Sequence, residues 1–490
     1  MGLPARAAGR AVSGHSVRGM AVLAIDQGTS ATKAVVVDGD GRVLGLAEAQ
    51  VAVHATPDGG VELDPELLWA SVLAAGRQAL YAAGNPSLAA IGLANQGETI
   101  LAWDRATGTP VGPAIVWQDR RSDDVCRRLA EHGQRLAHLT GLELDPYFVA
   151  PKITWLRQRV DPSLTITTTD TWLLHRLCSA FVTDVATAGR SLLLDLETGQ
   201  WSAEACDIFG IDLGGLPEVV GNAAALGISS VFGGHVPVTG ACVDQQAALF
   251  AEACHTAGEA KCTYGTGAFM LACTGTTPTR STNGLVGCPA WRLGDELTYC
   301  LDGQVYTVGA AVTWLMDMGI MHEPADLDRL GGGVSDAAGV TFVPALAGLA
   351  APYWKPQAKA AFAGLSLGTE RGHLVRAAID GIAAQVALLA HAAALDLGAP
   401  LARLRVDGGL TRSHTLLQVQ ADLLQCPVEV YPSPHATALG VAAFAAIGAG
   451  VPATMHDWRP SAVVEPSISA DEAAARLARW QAAADATMDL

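Results

Sequence analysis

The chain has 490 residues, 50% of them hydrophobic and 16% charged. That excludes a peptide, a small disulfide-stapled module and a disordered chain, and leaves room for about two to four domains at ~100–200 residues each. With 48 acidic against 31 basic residues the net charge is −17, which repels nucleic-acid phosphates and anionic lipid headgroups, so neither a nucleic-acid partner nor membrane insertion is expected. Any phosphate must then be held locally, by turn N–H groups, helix N-termini or a divalent cation. The ten cysteines show no C-x-x-C pair and no clustered Cys/His spacing, and read as small core residues of a protein in the reducing cytoplasm.

Residues 1–19 carry Arg6, Arg10 and Arg18 among Ala and Gly without the apolar run of a secretory signal, and are expected to form a disordered extension; Met1 and Met20 are both candidate starts. From Met20 onward apolar strand-like runs alternate with helical ones, which predicts an α/β protein. Residues 22–37 read as a hairpin whose turn is Asp26-Gln27-Gly28-Thr29-Ser30. The strand-like run 91–94 leads into Asn95-Gln96-Gly97-Glu98, polar groups at a strand end where open α/β sheets bind ligands. Asp244 opens a helical run, and residues 260–273 repeat the hairpin with Thr263-Tyr264-Gly265-Thr266-Gly267 at its turn. Two matched hairpins imply two matched domains, 20–254 and 255–490, with a cleft between them. Further on, Gly331-Gly332-Gly333 and Pro432-Ser433-Pro434 read as surface loops. Val406-Asp407-Gly408-Gly409 reads as a strand end before a helix over 413–424, and 436–451 as a buried helix too short to span a membrane.

Asp26, at a strand end before Gly28-Thr29, suits a magnesium ion while turn N–H groups and the Thr29 hydroxyl meet phosphate oxygens; the alternative is an ordinary turn aspartate. Thr266 makes the same offer between two glycines, and Gly409 leaves backbone free for a nucleotide to approach. At its helix start Asp244 is either a plain cap or a general base, kept ionised by the helix dipole, for a substrate hydroxyl. Glu98 is either a solvated turn residue or an acceptor for a polyol, and Trp117, Tyr147 and Phe269 either fill a core or wall a pocket. No P-loop string occurs.

In this order, these residues resemble the FGGY carbohydrate kinase family, most closely its glycerol-phosphorylating members. The likeness runs through Asp26-Gln27-Gly28-Thr29, Ala114-Ile115-Val116-Trp117-Gln118, Asp145-Pro146-Tyr147-Phe148, Lys152-Ile153-Thr154-Trp155-Leu156 and Asp170-Thr171-Trp172-Leu173. It continues through Asp244-Gln245-Gln246, the second hairpin turn, Pro352-Tyr353-Trp354, Arg405-Val406-Asp407-Gly408-Gly409 and the signature from Gly364-Leu365 to Asp380. The resemblance implies a two-domain actin-like fold, a duplicated ribonuclease-H-type unit, with ATP and Mg2+ in the cleft. It implies a cytoplasmic enzyme that phosphorylates a primary hydroxyl of a small polyol, glycerol first, and a homodimer or homotetramer, both common in the family. By the same resemblance Asp244 is the base and Asp26 supports the metal. Thr29, Ser30, Lys33 and Thr266 face the phosphates, and Gly309, Gly409 and Ser413 the nucleotide. Glu98, Trp117, Tyr147, Asp244, Gln245 and Phe269 hold the polyol.

Three positions depart from the family pattern. Gly97 stands where an Arg usually precedes the pocket glutamate, Lys33 where an Arg is usual, and Ser413 where Asn is frequent. Loss of a guanidinium donor weakens glycerol binding by ~1.5–3 kcal/mol unless another group replaces it, and the freed volume admits a longer polyol or a ketose such as erythritol or xylulose. The stretch 231–237 lacks the Arg of the loop that binds fructose 1,6-bisphosphate in some relatives, so that regulation is not expected. A non-catalytic sugar or nucleotide sensor on the same fold is the contrasting expectation, disfavoured because a sensor needs no positioned base.

Overall fold

The computed structural model describes residues 20–452 and 458–488; the extension expected over 1–19 lies outside them. The first hairpin forms where the polar turn interrupts two apolar runs. Strand Ala21–Gln27 pairs antiparallel with Ala31–Val37, which pairs antiparallel with Val43–Gln50. Helix Pro65–Ala82 then crosses over, started by Asp64, whose side chain accepts the N–H groups of Glu66 and Leu67. It delivers strand Leu88–Asn95 parallel to the first, and strand Val236–Val243 adds parallel to that. Numbered along the chain, these five strands lie in the order 3-2-1-4-5, with Ala223–Ser229 at the outer edge.

The second half repeats the plan. Strands Ala260–Tyr264, Ala268–Gly275 and Glu296–Val305 are antiparallel, helix Arg371–Leu397 crosses over, and Leu404–Asp407 and Val428–Val430 follow in parallel, again 3-2-1-4-5. This is the duplicated ribonuclease-H-type fold. Leu23, Ala24 and Ile25 are wholly buried, because a central strand covered by helices on both faces has no solvent side and so reads as a continuous apolar run.

Helix Arg371–Leu397 is long and apolar enough to cross a membrane, the one such helix among the described residues; 78% of its apolar window is buried inside the protein, so here it is a core helix. Gly331 is not the surface loop residue expected from its sequence. It closes a π-helical turn, Leu327–Gly331, packed so closely on that helix that a Cβ would lie 2.7 Å from Ile379 Cδ1.

Helix Ala436–Gly448 belongs to the second half of the chain but lies on the sheet of the first, against helix Asp244–Ala251 and five of the sheet's six strands. The approach is backbone to backbone: a Cβ on Gly440 would sit 1.8 Å from the Ala247 carbonyl oxygen, and one on Gly92 2.6 Å from that of Val441. Between strands Leu88–Asn95 and Val236–Val243 a long insertion contributes to a smaller sheet, through Ile100–Asp104, Ala114–Ile115 and Thr165–Thr168, completed by Val53–Ala55 and Val61–Leu63. All ten cysteines are free, and nine of them are buried.

Candidate active site

The parallel strands of both sheets end on one cleft. Asp26 comes from the end of the first strand, Gln96 follows Leu88–Asn95, Asp244 follows Val236–Val243, and Asp407 ends Leu404–Asp407, as expected of open α/β sheets, whose ligands sit at the carboxyl ends of strands. The first hairpin turn is braced from below. Asn95 donates to Gln27 Oε1 at 2.6 Å and Thr169 to Asn95 Oδ1 at 2.8 Å, while the backbone N–H of Gly28 bonds Ala31 at 3.0 Å.

Between the lobes lies a cavity of about 350 Å³. It gathers Thr29, Ser30, Glu98, Trp117, Tyr147, Asp244, Gln245, Thr266 and Phe269, nine of the residues singled out in the sequence. Trp117 meets Tyr147 edge-on at 5.7 Å and Phe269 at 6.2 Å, so one aromatic wall is built from both lobes. The indole N–H of Trp117 donates to Thr29 Oγ1 at 2.9 Å, tying that wall to the phosphate turn and leaving the hydroxyl proton free to be donated.

Glu98 is not a solvated turn residue. It is 4% exposed, adopts φ = +56°, and bonds Arg190 Nε at 2.6 Å. Burial pushes its carboxyl above the ordinary range, against the pull of Arg190 and Lys152. Lys152 is itself buried beneath the pocket. Its ammonium donates to the carbonyls of Tyr147 and Phe148, and burial lowers its pKa to about 8.

Asp244 is the first residue of helix Asp244–Ala251 rather than its cap, which is Val243, and its Oδ1 accepts the Gln245 N–H at 2.7 Å. Burial first and the neighbouring Asp26 second raise its pKa to about 6, outweighing Lys261 and the Gln245 bonds. A base poised just below neutral pH is better matched to proton transfer than one near 4. Asp26 is likewise raised to about 6, by burial and by Asp407 and Glu48, with Lys33, its cross-strand partner, opposing. Lys261 reaches across from the second lobe to Gln245 Oε1 at 2.6 Å and to Thr263 at 2.8 Å.

Asp26, Lys33, Gly309, Gly409 and Ser413 are not among the residues that line this cavity. Gly309 begins a helix whose N–H bonds the Gly265 carbonyl at 3.0 Å, and a Cβ there would stand 2.6 Å from that oxygen, so glycine keeps the Thr266 turn in place. Gly409 faces open space, whereas Gly408, at φ = +97°, is pressed against the Tyr264 backbone. Ser413 is buried. Its hydroxyl donates to Asp328 at 2.9 Å and caps helix His414–Leu424 through the Leu416 N–H. Sequence reasoning passed over Arg190, Asp302 and Lys261. Their one signal is a charge set in an apolar stretch, as in Ala188-Gly189-Arg190-Ser191-Leu192.

Comparison with known proteins places this geometry. Residues 21–251 match the model of the N-terminal domain of the FGGY family of carbohydrate kinases, and residues 260–449 that of its C-terminal domain. The chain belongs to the FGGY family of carbohydrate kinases. This FGGY kinase is 40% identical over 489 residues to a glycerol kinase of Bordetella parapertussis, covering 95% of this chain and 96% of that one. It is 41% identical over 483 residues to a glycerol kinase of Ralstonia nicotianae, covering 94% and 97%. Its fold superposes on the crystal structure of Plasmodium falciparum glycerol kinase with ADP at a TM-score of 0.87 and 30% identity, covering 96% of this chain and 98% of that one. The FGGY kinase is accordingly a phosphotransferase.

Proposed function

We propose that this kinase transfers the γ-phosphoryl group of ATP to a primary hydroxyl of a small polyol, glycerol foremost, yielding glycerol 3-phosphate. The observation that carries the reading is Asp244. A carboxylate with a pKa of about 6 shares one cavity with an aromatic wall and the buried Glu98, and both phosphate turns line the same space. The kinship with glycerol kinases over nearly the whole chain supports it.

Asp26 fits a magnesium ion. Its carboxylate is crowded by Asp407 and Asp244, a repulsion that a divalent cation relieves. Among the described residues no three His, Cys, Asp or Glu side chains gather to cage a metal alone, which suits an ion that completes its shell with phosphate oxygens and water. Bound there, it would neutralise charge on the transferred phosphoryl group.

The protein's own steps follow from the side chains. Thr29, Ser30, Lys33 and Thr266 hold the phosphate chain, and Gly309, Gly409 and Ser413 border the nucleoside. Trp117, Tyr147 and Phe269 cover the polyol carbons while Glu98 and Gln245 accept or donate to its hydroxyls. Asp244 takes the proton of the attacking hydroxyl, and closure of the two lobes, helix Ala436–Gly448 moving with the first, excludes water. We place this activity in the cytoplasm.

A second reading, a polyol or ketose of four or more carbons, is favoured by Gly97, which lines the cavity with no side chain in it. The test is ADP release with ATP and Mg2+ across glycerol, dihydroxyacetone, erythritol, xylitol, ribulose, xylulose and gluconate, with Asp244→Asn as control. Asp244-dependent turnover of glycerol supports the first reading, a preference for a longer substrate the second, and silence across the panel refutes both.

A further inference from the structure

Arg190 is the one cationic side chain among the residues lining the cavity, and it is 3% exposed. It follows the short helix Val185–Ala188, with its backbone N–H bonded to the Thr187 carbonyl at 3.0 Å. Two of its three nitrogens are committed. Nε donates to Glu98 Oε1 at 2.6 Å, in its own lobe, and Nη1 pairs with Asp302 Oδ2 at 2.6 Å, on strand Glu296–Val305 of the other lobe. The guanidinium packs over Phe148 at 5.3 Å and Tyr147 at 5.8 Å. The third nitrogen, Nη2, has no hydrogen-bond partner among the described residues and is not among the sealed, unpartnered atoms; the same holds for Glu98 Oε2. Both residues line the cavity, so a donor and an acceptor remain on offer there. A hydroxyl, which both donates and accepts, complements that pair.

We infer that Arg190 binds substrate and determines specificity, its Nη2 donating to a hydroxyl of an uncharged polyol and so supplying the guanidinium that the chain lacks at position 97. The inference rests on the polyol-kinase reading above and deepens it by naming the substrate's charge. One guanidinium already faces two carboxylates. Lys152 spends its ammonium on the Tyr147 and Phe148 carbonyls and Lys261 on Gln245 and Thr263. Among the described residues lining the cavity no other cation remains to receive a carboxylate, so an aldonic acid such as gluconate is rejected while neutral polyols are accepted.

The test is steady-state kinetics of wild type and Arg190→Lys with the best neutral polyol, with gluconate, and with ATP varied. Lysine keeps a positive charge between Glu98 and Asp302 but loses the fork, so the polyol KM should rise on the order of 10–100-fold. The KM for ATP should stay within about twofold, since the phosphate turns are untouched. Adding Gly97→Arg to Arg190→Lys should restore most of the lost polyol affinity, a rescue that a purely structural role for Arg190 would not give. Should Arg190→Lys fail to fold, Arg190→Gln with Asp302→Asn replaces the interlobe ion pair by two neutral amides and is expected to show the same loss. An unchanged polyol KM in whichever variant folds, or efficient wild-type turnover of gluconate, overturns the role of Arg190. A wild type that turns over no polyol overturns the functional reading instead.

Discussion

Replacing Asp244 by Asn should sharply reduce turnover and at the same time make the folded protein more stable at neutral pH. The carboxyl has a pKa of about 6 in the fold against 3.8 for the unperturbed group. The folded state thus binds more protons than the unfolded chain between pH ~4 and ~6, and stability is lost as pH rises through that window. A shift of about two pH units corresponds to a ceiling of about 3 kcal/mol at 1.36 kcal/mol per unit, and solvent entering the open cleft reduces this to on the order of 1–2 kcal/mol. Asparagine keeps the shape without the charge and removes that penalty. Thermal unfolding of both proteins without nucleotide, from pH 4 to pH 8, should show Asp244→Asn melting a few degrees higher at pH 7–8, at ~2–4 °C per kcal/mol for a lobe of this size, with the gap closing toward pH 4. In parallel kcat should fall about 10²–10⁴-fold. A variant that melts lower than wild type at pH 7.5, or that retains near-normal turnover, would refute the account of Asp244 as a buried, crowded base.

The wild-type pH profile should show the same group. kcat/KM for the polyol should drop close to tenfold per pH unit below about 6, and Asp26→Asn, which removes the largest charge raising Asp244, should move that limb to lower pH. Because Arg190 already supplies a guanidinium, Gly97→Arg in the wild-type background should lower the glycerol KM by less than about tenfold while impairing longer polyols. An added Cβ meets one atom, Val243 Cγ2 at 3.1 Å, a side-chain methyl that must give slightly to admit it. Gly309→Ala should raise the KM for ATP more than that for the polyol, since its Cβ would push on the Gly265 carbonyl at 2.6 Å and displace the Thr266 turn; equal effects on both would show that the turn does not act on phosphate. Trp117→Phe should weaken polyol binding and loosen Thr29 by removing the indole donor at 2.9 Å, measured as a rise in both KM values.

The two hairpins were legible because the signal is local, a polar glycine-containing turn between apolar runs. The start of the Asp244 helix was legible for the same reason. Its charge state was not, because it is set by burial and by the carboxylate of Asp26, which lies more than 200 residues away in sequence. Its local residues alone made Glu98 read rather as a solvated turn residue, until the fold set Arg190 against it. Arg190 and Asp302 look like stray charges in apolar segments, and they acquire meaning only when the lobes bring them within 2.6 Å of each other. Gly331 was misread because three consecutive glycines suggest a loop, whereas the tight approach of a neighbouring helix demands the same residue.

Helix Ala436–Gly448, which lies on the sheet of the first half, dictates the timetable of synthesis. A ribosome that has completed strand Val236–Val243 has made every strand of that sheet, yet the face around Gly92 and Gly240 stays uncovered until about two hundred more residues have emerged. The nascent first lobe must wait with an apolar surface open to chaperones, and a fragment cut near residue 254 should be insoluble alone but recoverable when the remaining chain is supplied in trans.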